Sequence, residues 1–253
     1  MDGLYVGGST GENFTISTDE KKRIFEIAFD ETKGAVDLIA QVGSVNLMEA
    51  IELAKFVTDL GYKTISAVTP FYYKFSFEEI KNYYNRILEH VDTQMIIYSI
   101  PFLTGVSLTT DQFAELFENK KIVGVKFTAA DFYLLERMRS RFPEQIIYAG
   151  FDEMLLPALS LNVDGAIGST FNVNAKRARG TMEAYVSGDL ETAYRLQKES
   201  NDLISALLDN GIYASLKQIL SEQGVHAGVT REPMLAATEA QITRAKEIYK
   251  ELV

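Results

Sequence analysis

The stretch GLYVGGSTGENFTISTDE, residues 3–20, passes from a short apolar run through a glycine-rich polar loop into the start of a helix. Its first six residues predict a β-strand. Its last four residues, STDE at 17–20, fit a capping box with acidic residues in the first helical turn. The loop from Gly7 to Ile16 therefore joins a strand to a helix, and the whole stretch predicts one βα unit.

The same alternation of β-rich runs and segments of helical period continues through most of the chain. Six further runs predict strands: VDLIAQVG from Val36, KTISAVTP from Lys63, QMIIYSIP from Gln94, KIVGVKFT from Lys121, QIIYAGFD from Gln145 and VDGAIGST from Val163. Predicted helices cover 18–32, 47–60, 77–88, 110–117, 133–141 and 153–161, and four more cover 175–186, 190–208, 215–221 and 239–252. This alternation predicts a parallel sheet with helical crossovers.

Polar residues close the carboxyl ends of most predicted strands, among them Thr69, Tyr98, Lys126 and Asp152. In a βα barrel these ends meet at one mouth, whereas in an open sheet they spread along an edge. The pattern therefore favours an α/β fold of the TIM (βα)8 type with C-terminal helices. Because a standard barrel has eight strands and seven are predicted, we expect the chain to be one βα unit short. A single barrel domain is predicted for 1–253, with βα repeats over 1–172 and a helical part over 173–253.

The composition restricts the chemistry that the chain can perform. Of its 253 residues 47% are hydrophobic, and its formal net charge is -10. The negative charge disfavours nucleic acid and anionic membranes as partners, and no apolar run is long enough to span a bilayer. The chain has no cysteine and two histidines. A metal site built from cysteine and histidine, or a Ser-His-Asp catalytic triad, is therefore disfavoured. We expect a cytoplasmic protein whose chemistry rests on Lys, Tyr, Ser, Thr, Asp or Glu.

Lys126 follows the apolar run KIVGV and has no acidic neighbour in sequence. A lysine at a strand end commonly extends its amine to solvent, and this interpretation stays open. In a partly desolvated barrel mouth, burial would instead favour the neutral amine, which attacks a carbonyl to form a Schiff base. Tyr98, near the end of the preceding strand, would then lie close by and could relay protons. The alternative for Tyr98 is an aromatic side chain that caps the core.

Glycine-rich turns follow three of the predicted strands. The loop Gly7–Glu12 offers backbone N–H groups and the hydroxyls of Ser9 and Thr10, which suit a carboxylate, but a purely structural turn is equally open. It has neither the Walker A pattern nor the dinucleotide-binding spacing. The turns at 150–153 (GFDE) and 168–170 (GST) are ambiguous between helix capping and binding. The carboxylates at 152 and 153 could bind the hydroxyls of a polyol.

Six motifs together resemble a known family over essentially the whole chain. They are GGSTGEN at Gly7, SAVTPFYY at Ser66, IIYSIP at Ile96, VGVKFTAADFYLLERMR at Val123, AGFDEMLLPAL at Ala149 and DGAIGSTFNVN at Asp164. The family is the N-acetylneuraminate lyases of the dihydrodipicolinate synthase superfamily of class I aldolases. The resemblance implies a homotetrameric barrel enzyme that reversibly cleaves N-acetylneuraminate to N-acetylmannosamine and pyruvate. It implies no metal and no cofactor, because the substrate forms a covalent Schiff base with the enzyme.

The resemblance also implies roles for individual residues. Lys126 matches the lysine that forms the Schiff base, and Tyr98 matches the tyrosine that relays protons. The remaining matches bind substrate: Ser9 and Thr10 the pyruvate carboxylate, and Thr128, Gly150, Asp152, Glu153 and Ser169 the sugar portion. Tyr72 matches a tyrosine that reaches into the site of a neighbouring subunit. Sequence spacing alone leaves Tyr72 and Tyr73 open between the core, the mouth and a subunit contact.

Three alternatives to the lyase stay open. Two are related enzymes, a 2-keto-3-deoxy sugar acid aldolase and a dihydrodipicolinate synthase-like enzyme. The synthases tend to carry an arginine soon after the tyrosine, to bind a second carboxylate, whereas Tyr98 is followed by Ser99-Ile100-Pro101. This difference favours the lyase. The third alternative is an inactive truncated fragment that retains sugar-acid binding, since members of the family begin with a further strand and helix.

Overall fold

The computed structural model describes residues 1–253 and contains the seven predicted strands. They are β1 (Gly3–Val6), β2 (Asp37–Gln41), β3 (Thr64–Val68), β4 (Gln94–Ser99), β5 (Ile122–Phe127), β6 (Ile146–Ala149) and β7 (Gly165–Ala166). Pairing is parallel from β1 through β6, and the order in the sheet is sequential from β1 to β7. A doubly wound sheet reverses its strand order at a switch point. This sheet has no reversal, which favours the barrel type over the open sheet.

Eleven α-helices accompany the strands. They are α1 (Thr18–Thr32), α2 (Leu47–Leu60), α3 (Phe77–Leu88), α4 (Pro101–Thr104), α5 (Thr110–Phe117), α6 (Phe132–Arg141), α7 (Leu155–Leu159), α8 (Phe171–Ser187), α9 (Leu190–Asn210), α10 (Ile212–Glu222) and α11 (Glu239–Leu252). The predicted bounds of α1, α2, α3, α5 and α11 are confirmed, and α6, α8, α9 and α10 differ from prediction by a few residues at their ends. None of the helices combines the length and apolar character needed to cross a membrane.

Side chains fix where several of these helices begin. The Ser17 hydroxyl accepts a hydrogen bond from the Glu20 N–H, and the Glu20 carboxylate accepts one from the Ser17 N–H at 2.8 Å. The same reciprocal pair is found at Ser76 before α3 and at Thr109 before α5. Each capping box satisfies two backbone N–H donors at once and so defines the residue at which the preceding loop ends. The capping box predicted before α1 is therefore confirmed.

Two further predicted elements are much shorter in the structure than predicted, and one short helix was not predicted. Instead of a helix over 153–161, a 3-10 turn (Asp152–Met154) leads into α7. Pro157 has no N–H and is tolerated only in a first helical turn, which keeps the start of α7 close to it. β7 has two residues because glycines within its run weaken a strand. The short helix α4 has Pro101 at its first position, where a missing N–H costs nothing.

The chain forms two compact units. The first comprises Met1–Gly150 and Leu161–Gly165, and the second comprises Phe151–Ser160 and Ala166–Val253. Fully buried side chains of the first unit include Leu53, Ile65, Tyr84, Ile87, Ile96 and Ile97. The core of the second unit is formed by Val173, Leu203, Leu207, Leu216, Ile219 and Ile248. A single barrel domain over 1–253 stays a prediction.

Lys21 of α1 and Glu49 of α2 form a largely buried ion pair in the first unit. Lys21 Nζ lies 2.8 Å from Glu49 Oε1, and the two side chains are 5% and 19% exposed. The Glu49 carboxylate also accepts hydrogen bonds from Thr18 Oγ1 at 2.9 Å and Ser44 Oγ at 2.6 Å. Partial burial raises the pKa of Glu49, but hydrogen bonds from Lys21, Ser44 and Thr18 outweigh it and hold the pKa below its usual range.

We expect Glu49→Gln to lower the free energy of unfolding at neutral pH by about 3 kcal/mol, the lower end of the cost of breaking a buried ion pair, because Lys21 then stays buried without its counter-charge. The folded-state pKa of Glu49 is depressed, so the stabilisation is present above the unfolded-state pKa and is lost as the pH falls through the folded-state pKa. The difference between wild type and variant should therefore shrink at acid pH. Urea unfolding at neutral pH and at a pH well below the usual glutamate pKa of about 4.3 measures both effects.

The matched control is Glu52→Gln, the same change one turn further along α2. Glu52 pairs with Lys22 of α1, and both side chains are more exposed than those of the buried pair. Exposed ion pairs contribute little to stability, so this control should unfold close to wild type. An equal loss of unfolding free energy in both variants would contradict the larger contribution that burial is expected to give the Lys21–Glu49 pair.

Candidate active site

Lys126 on β5 is paired directly with Tyr98 on β4 in the parallel register. The two residues are 7% and 3% exposed. Lys126 Nζ lies 3.9 Å from the centroid of the Tyr98 ring and 4.7 Å from that of the Tyr5 ring. The interpretation of Lys126 as a lysine that extends into solvent is therefore wrong. The predicted closeness of Lys126 and Tyr98 is confirmed.

Tyr5 of β1 is a neighbour of Lys126 that the sequence analysis missed. Its ring meets the Tyr98 ring edge-on, with centroids 5.9 Å apart, and its hydroxyl donates to Ser66 Oγ at 2.9 Å. Burial and the nearby Tyr98 and Tyr84 raise the pKa of Tyr5 well above its usual value, although the hydrogen bond with Ser66 acts in the opposite direction. Tyr5 therefore stays neutral. Together with Tyr98 it presents two aromatic faces to the nitrogen of Lys126, and aromatic faces attract cations.

Ser9 links the glycine-rich loop to the same group of side chains. It begins a single 3-10 turn (Ser9–Gly11) just after β1, with Thr10 as the middle residue. Ser9 Oγ lies 3.3 Å from the hydroxyl oxygen of Tyr98. Gly7 turns the chain with a φ of 71°, a conformation that favours glycine, and a Cβ there would also meet the Phe25 ring at 3.2 Å. The first unit thus brings an amine, a phenol and an aliphatic hydroxyl into one series of contacts.

Thr128 and Gly150 lie just beyond the carboxyl ends of the neighbouring strands β5 and β6. Thr128 is buried, and its Oγ1 has no hydrogen-bond partner in the protein. A Cβ on residue 150 would fall 1.8 Å from that oxygen, so only glycine fits there without displacing Thr128. A buried hydroxyl without a protein partner is uncommon in folded proteins and calls for an explanation, such as a bound water or ligand.

The second unit contains the other residues assigned to the sugar portion. Asp152 begins the 3-10 turn before α7, and Ser169 lies two residues before the first residue of α8. The Asp152 carboxylate reaches Thr170, next to Ser169, so the unit brings the two turns together. Glu153 and Ser169 are half-buried. The sequence analysis treated these two turns separately. The hydroxyl of Thr170, which can donate to a carboxylate, was the only sequence feature that could have indicated their contact.

Tyr72 follows β3 and is 85% exposed, which excludes the core among its three possible locations. Its φ is 78°, in a region that is a clear outlier for a bulky side chain. Its ring packs edge-on against Tyr73, with centroids 5.0 Å apart. Backbone outliers of this kind concentrate at functional positions.

Comparison with known proteins identifies the family. The model of the dihydrodipicolinate synthetase family matches residues 1–252. The chain belongs to this family. An N-acetylneuraminate lyase of Clostridium perfringens is 70% identical over 250 residues, which cover 99% of this chain and 87% of that protein.

Solved structures of the dihydrodipicolinate synthetase family agree with the fold. CdNal from Clostridium difficile, in complex with mannosamine, is 66% identical with a TM-score of 0.98, and the match covers 100% of this chain and 87% of that one. N-acetylneuraminate lyase from Fusobacterium nucleatum, complexed with pyruvate, is 60% identical with a TM-score of 0.95, covering 100% of this chain and 85% of that one. The predicted TIM-type α/β fold and the resemblance to the lyases are confirmed.

Proposed function

We propose that this protein catalyses the reversible cleavage of N-acetylneuraminate to N-acetylmannosamine and pyruvate as a class I aldolase. The observation that carries the proposal is the buried amine of Lys126, enclosed by the rings of Tyr5 and Tyr98. Relatives named N-acetylneuraminate lyase are 60% to 70% identical over nearly the whole chain. That identity favours the lyase over a synthase-like enzyme or a 2-keto-3-deoxy sugar acid aldolase.

In the proposed mechanism, the neutral amine of Lys126 attacks the ketone carbon of the substrate, and the carbonyl oxygen leaves as water. The product is a protonated imine, so no metal or separate cofactor is needed. When the carbon-carbon bond breaks, the imine accepts the electron pair and becomes an enamine, which avoids an unstable carbanion. The aromatic faces of Tyr5 and Tyr98 suit the cationic nitrogen of this intermediate.

Cleavage also requires a base, because the sugar hydroxyl next to the breaking bond must lose its proton. We assign this transfer to Tyr98, which lies against Lys126 and 3.3 Å from Ser9 Oγ. Its oxygen accepts the proton as its own O–H proton passes on to the enamine carbon, which becomes the methyl group of pyruvate. Water then hydrolyses the imine, which releases pyruvate and the free amine of Lys126. Ser9 and Thr10 are assigned to the pyruvate carboxylate, for which the turn offers two hydroxyls and backbone N–H groups.

Five further residues are assigned to the hydroxylated sugar portion: Thr128, Gly150, Asp152, Glu153 and Ser169. The unpartnered hydroxyl of Thr128 beside Gly150 supports the assignment in the first unit. In the second unit, the assignment is supported by the Asp152 carboxylate, which a hydrogen bond from Thr170 holds in one orientation. Both are polar groups able to exchange hydrogen bonds with a polyol.

The proposal includes a cytoplasmic homotetramer in which Tyr72 contributes to the site of a neighbouring subunit. Its support is the exposure of the Tyr72 ring together with its unusual backbone conformation. Tyrosine is enriched at subunit interfaces because its ring is apolar and its hydroxyl can still bond to water or protein.

The test is to incubate the purified chain with N-acetylneuraminate and to follow pyruvate release in a coupled assay. We expect a kcat within the common range of about 1 to 10³ s⁻¹. With pyruvate and borohydride, mass spectrometry should show one reduced adduct per chain. Release of pyruvate from 2-keto-3-deoxy sugar acids alone would favour the other aldolase. Binding of a sialic acid analogue with neither turnover nor adduct would indicate an inactive fragment that retains sugar-acid binding.

A further inference from the structure

The carboxylate of Asp152 is held by the residue that precedes α8. Asp152 Oδ2 accepts one hydrogen bond from the Thr170 backbone N–H at 2.7 Å and another from Thr170 Oγ1 at 2.6 Å. Both residues are buried. Gly168 closes the other side, because a Cβ there would fall 1.7 Å from Asp152 Oδ1. The carboxylate is therefore restricted in rotation by two donors and by a close backbone contact.

The backbone of the same turn is held by Gln197 of α9. Its Nε2 donates to the carbonyl oxygen of Asp152 at 3.1 Å and to Asn201 Oδ1 at 2.8 Å. Its Oε1 accepts from the Leu156 N–H at 2.8 Å, in the first turn of α7, where an N–H has no partner within the helix. One buried amide thus fixes both the turn and the start of the helix that follows it.

These contacts determine the direction of a charged group rather than fill space. A hydroxyl donor bonded to a carboxylate forms a charge-assisted hydrogen bond, about twice as strong as one between neutral groups. Binding of a polyol depends on where the carboxylate oxygens point, because each hydroxyl hydrogen bond is directional. Loss of the Thr170 hydroxyl would leave the Asp152 charge in place but relax its orientation.

We propose that Thr170 is a positioning residue for Asp152, on a turn that Gln197 anchors. Through Asp152 it sets the affinity of the enzyme for the hydroxylated aldehyde sugar, and it has no part in the capture of pyruvate. The inference rests on the proposed role of Asp152 in contacting the sugar portion.

The experiment measures KM for N-acetylmannosamine and KM for pyruvate separately, in the condensation direction. Thr170→Val removes the hydroxyl but keeps the backbone N–H and the branched shape. It should raise KM for N-acetylmannosamine about tenfold, the loss expected for a hydrogen bond to a charged group. KM for pyruvate and the yield of the borohydride adduct with pyruvate should not change. Thr170→Ser, which keeps the hydroxyl, should restore the KM for the sugar.

Asp152→Asn is measured beside these variants so that a failure of the proposed role of Asp152 can be distinguished from a failure of the proposed role of Thr170. If this variant leaves the KM for the sugar unchanged, the role of Asp152 fails and the role of Thr170 fails with it. If it raises that KM while Thr170→Val does not, the inference about Thr170 alone is overturned. A rise in both KM values, or loss of the pyruvate adduct, in Thr170→Val would indicate a general structural role and would also overturn it. Should Thr170→Val not fold, Thr170→Ala lacks the same hydroxyl and is judged by the same outcomes.

Discussion

Replacing Lys126 with arginine should abolish the borohydride adduct with pyruvate and lower kcat for N-acetylneuraminate cleavage by at least about 10⁴-fold, as expected when a covalent nucleophile is lost. Arginine keeps a cation near the rings of Tyr5 and Tyr98, but its guanidinium stays protonated and cannot form an imine with the substrate. Charge and nucleophilicity are thereby separated. Mass spectrometry of the reduced protein and the coupled pyruvate assay measure the two effects.

Two further variants complete this experiment. Lys126→Met removes the charge as well as the nucleophile in a side chain of similar length, and it should be equally inactive with an unchanged circular dichroism spectrum. Lys120→Arg is the matched control, since Lys120 is exposed and lies in the turn before β5. It should form the adduct and turn over like wild type. A pyruvate adduct that persists in Lys126→Arg would show that another amine carries the reaction.

The elements of the fold that could be predicted are those whose signals are local. The helices α1, α3 and α5 begin at capping boxes, and each box is a pattern of four consecutive residues. The parallel strands are short apolar runs followed by polar turns, a signal that also stays within one segment. The two-residue strand β7 and the helix α7, which contains Pro157, carry weaker local signals, and there the predicted bounds were wrong.

The closeness of Lys126 and Tyr98 was predictable because they lie near the carboxyl ends of consecutive strands, and parallel pairing aligns those ends. The contact of Lys126 with Tyr5 was not, since β1 and β5 are far apart in sequence and no local pattern fixes which side chains of the two strands meet. The hydrogen bond between Thr170 and Asp152 joins two turns 18 residues apart, and which donor meets the carboxylate depends on how those turns pack. Sequence could identify the residue types that suit this chemistry, whereas the side chains that orient them depend on long-range packing.

Tyr98→Phe should lower kcat by about 10² to 10⁴-fold, the usual contribution of a general acid or base. The variant keeps the aromatic ring 3.9 Å from Lys126 Nζ and loses only the hydroxyl that lies 3.3 Å from Ser9 Oγ. Reduction with borohydride over a long incubation should still yield the pyruvate adduct, because Lys126 remains. The coupled assay and the time course of adduct formation together distinguish loss of proton transfer from loss of the nucleophile.

Tyr5→Phe is the matched control, because it removes a hydroxyl from the other ring that faces Lys126. That hydroxyl donates its hydrogen bond to Ser66 Oγ, whereas the Tyr98 hydroxyl is bonded to Ser9 Oγ. Its loss should lower the free energy of unfolding by about 1 kcal/mol, the net value of an ordinary hydrogen bond, and reduce kcat far less than Tyr98→Phe does. Equal losses of kcat in the two variants would contradict a specific role of the Tyr98 hydroxyl in proton transfer, since both variants keep their rings beside Lys126. A loss confined to Tyr98→Phe requires proton transfer through the Tyr98 hydroxyl, since the two rings surround the same nitrogen.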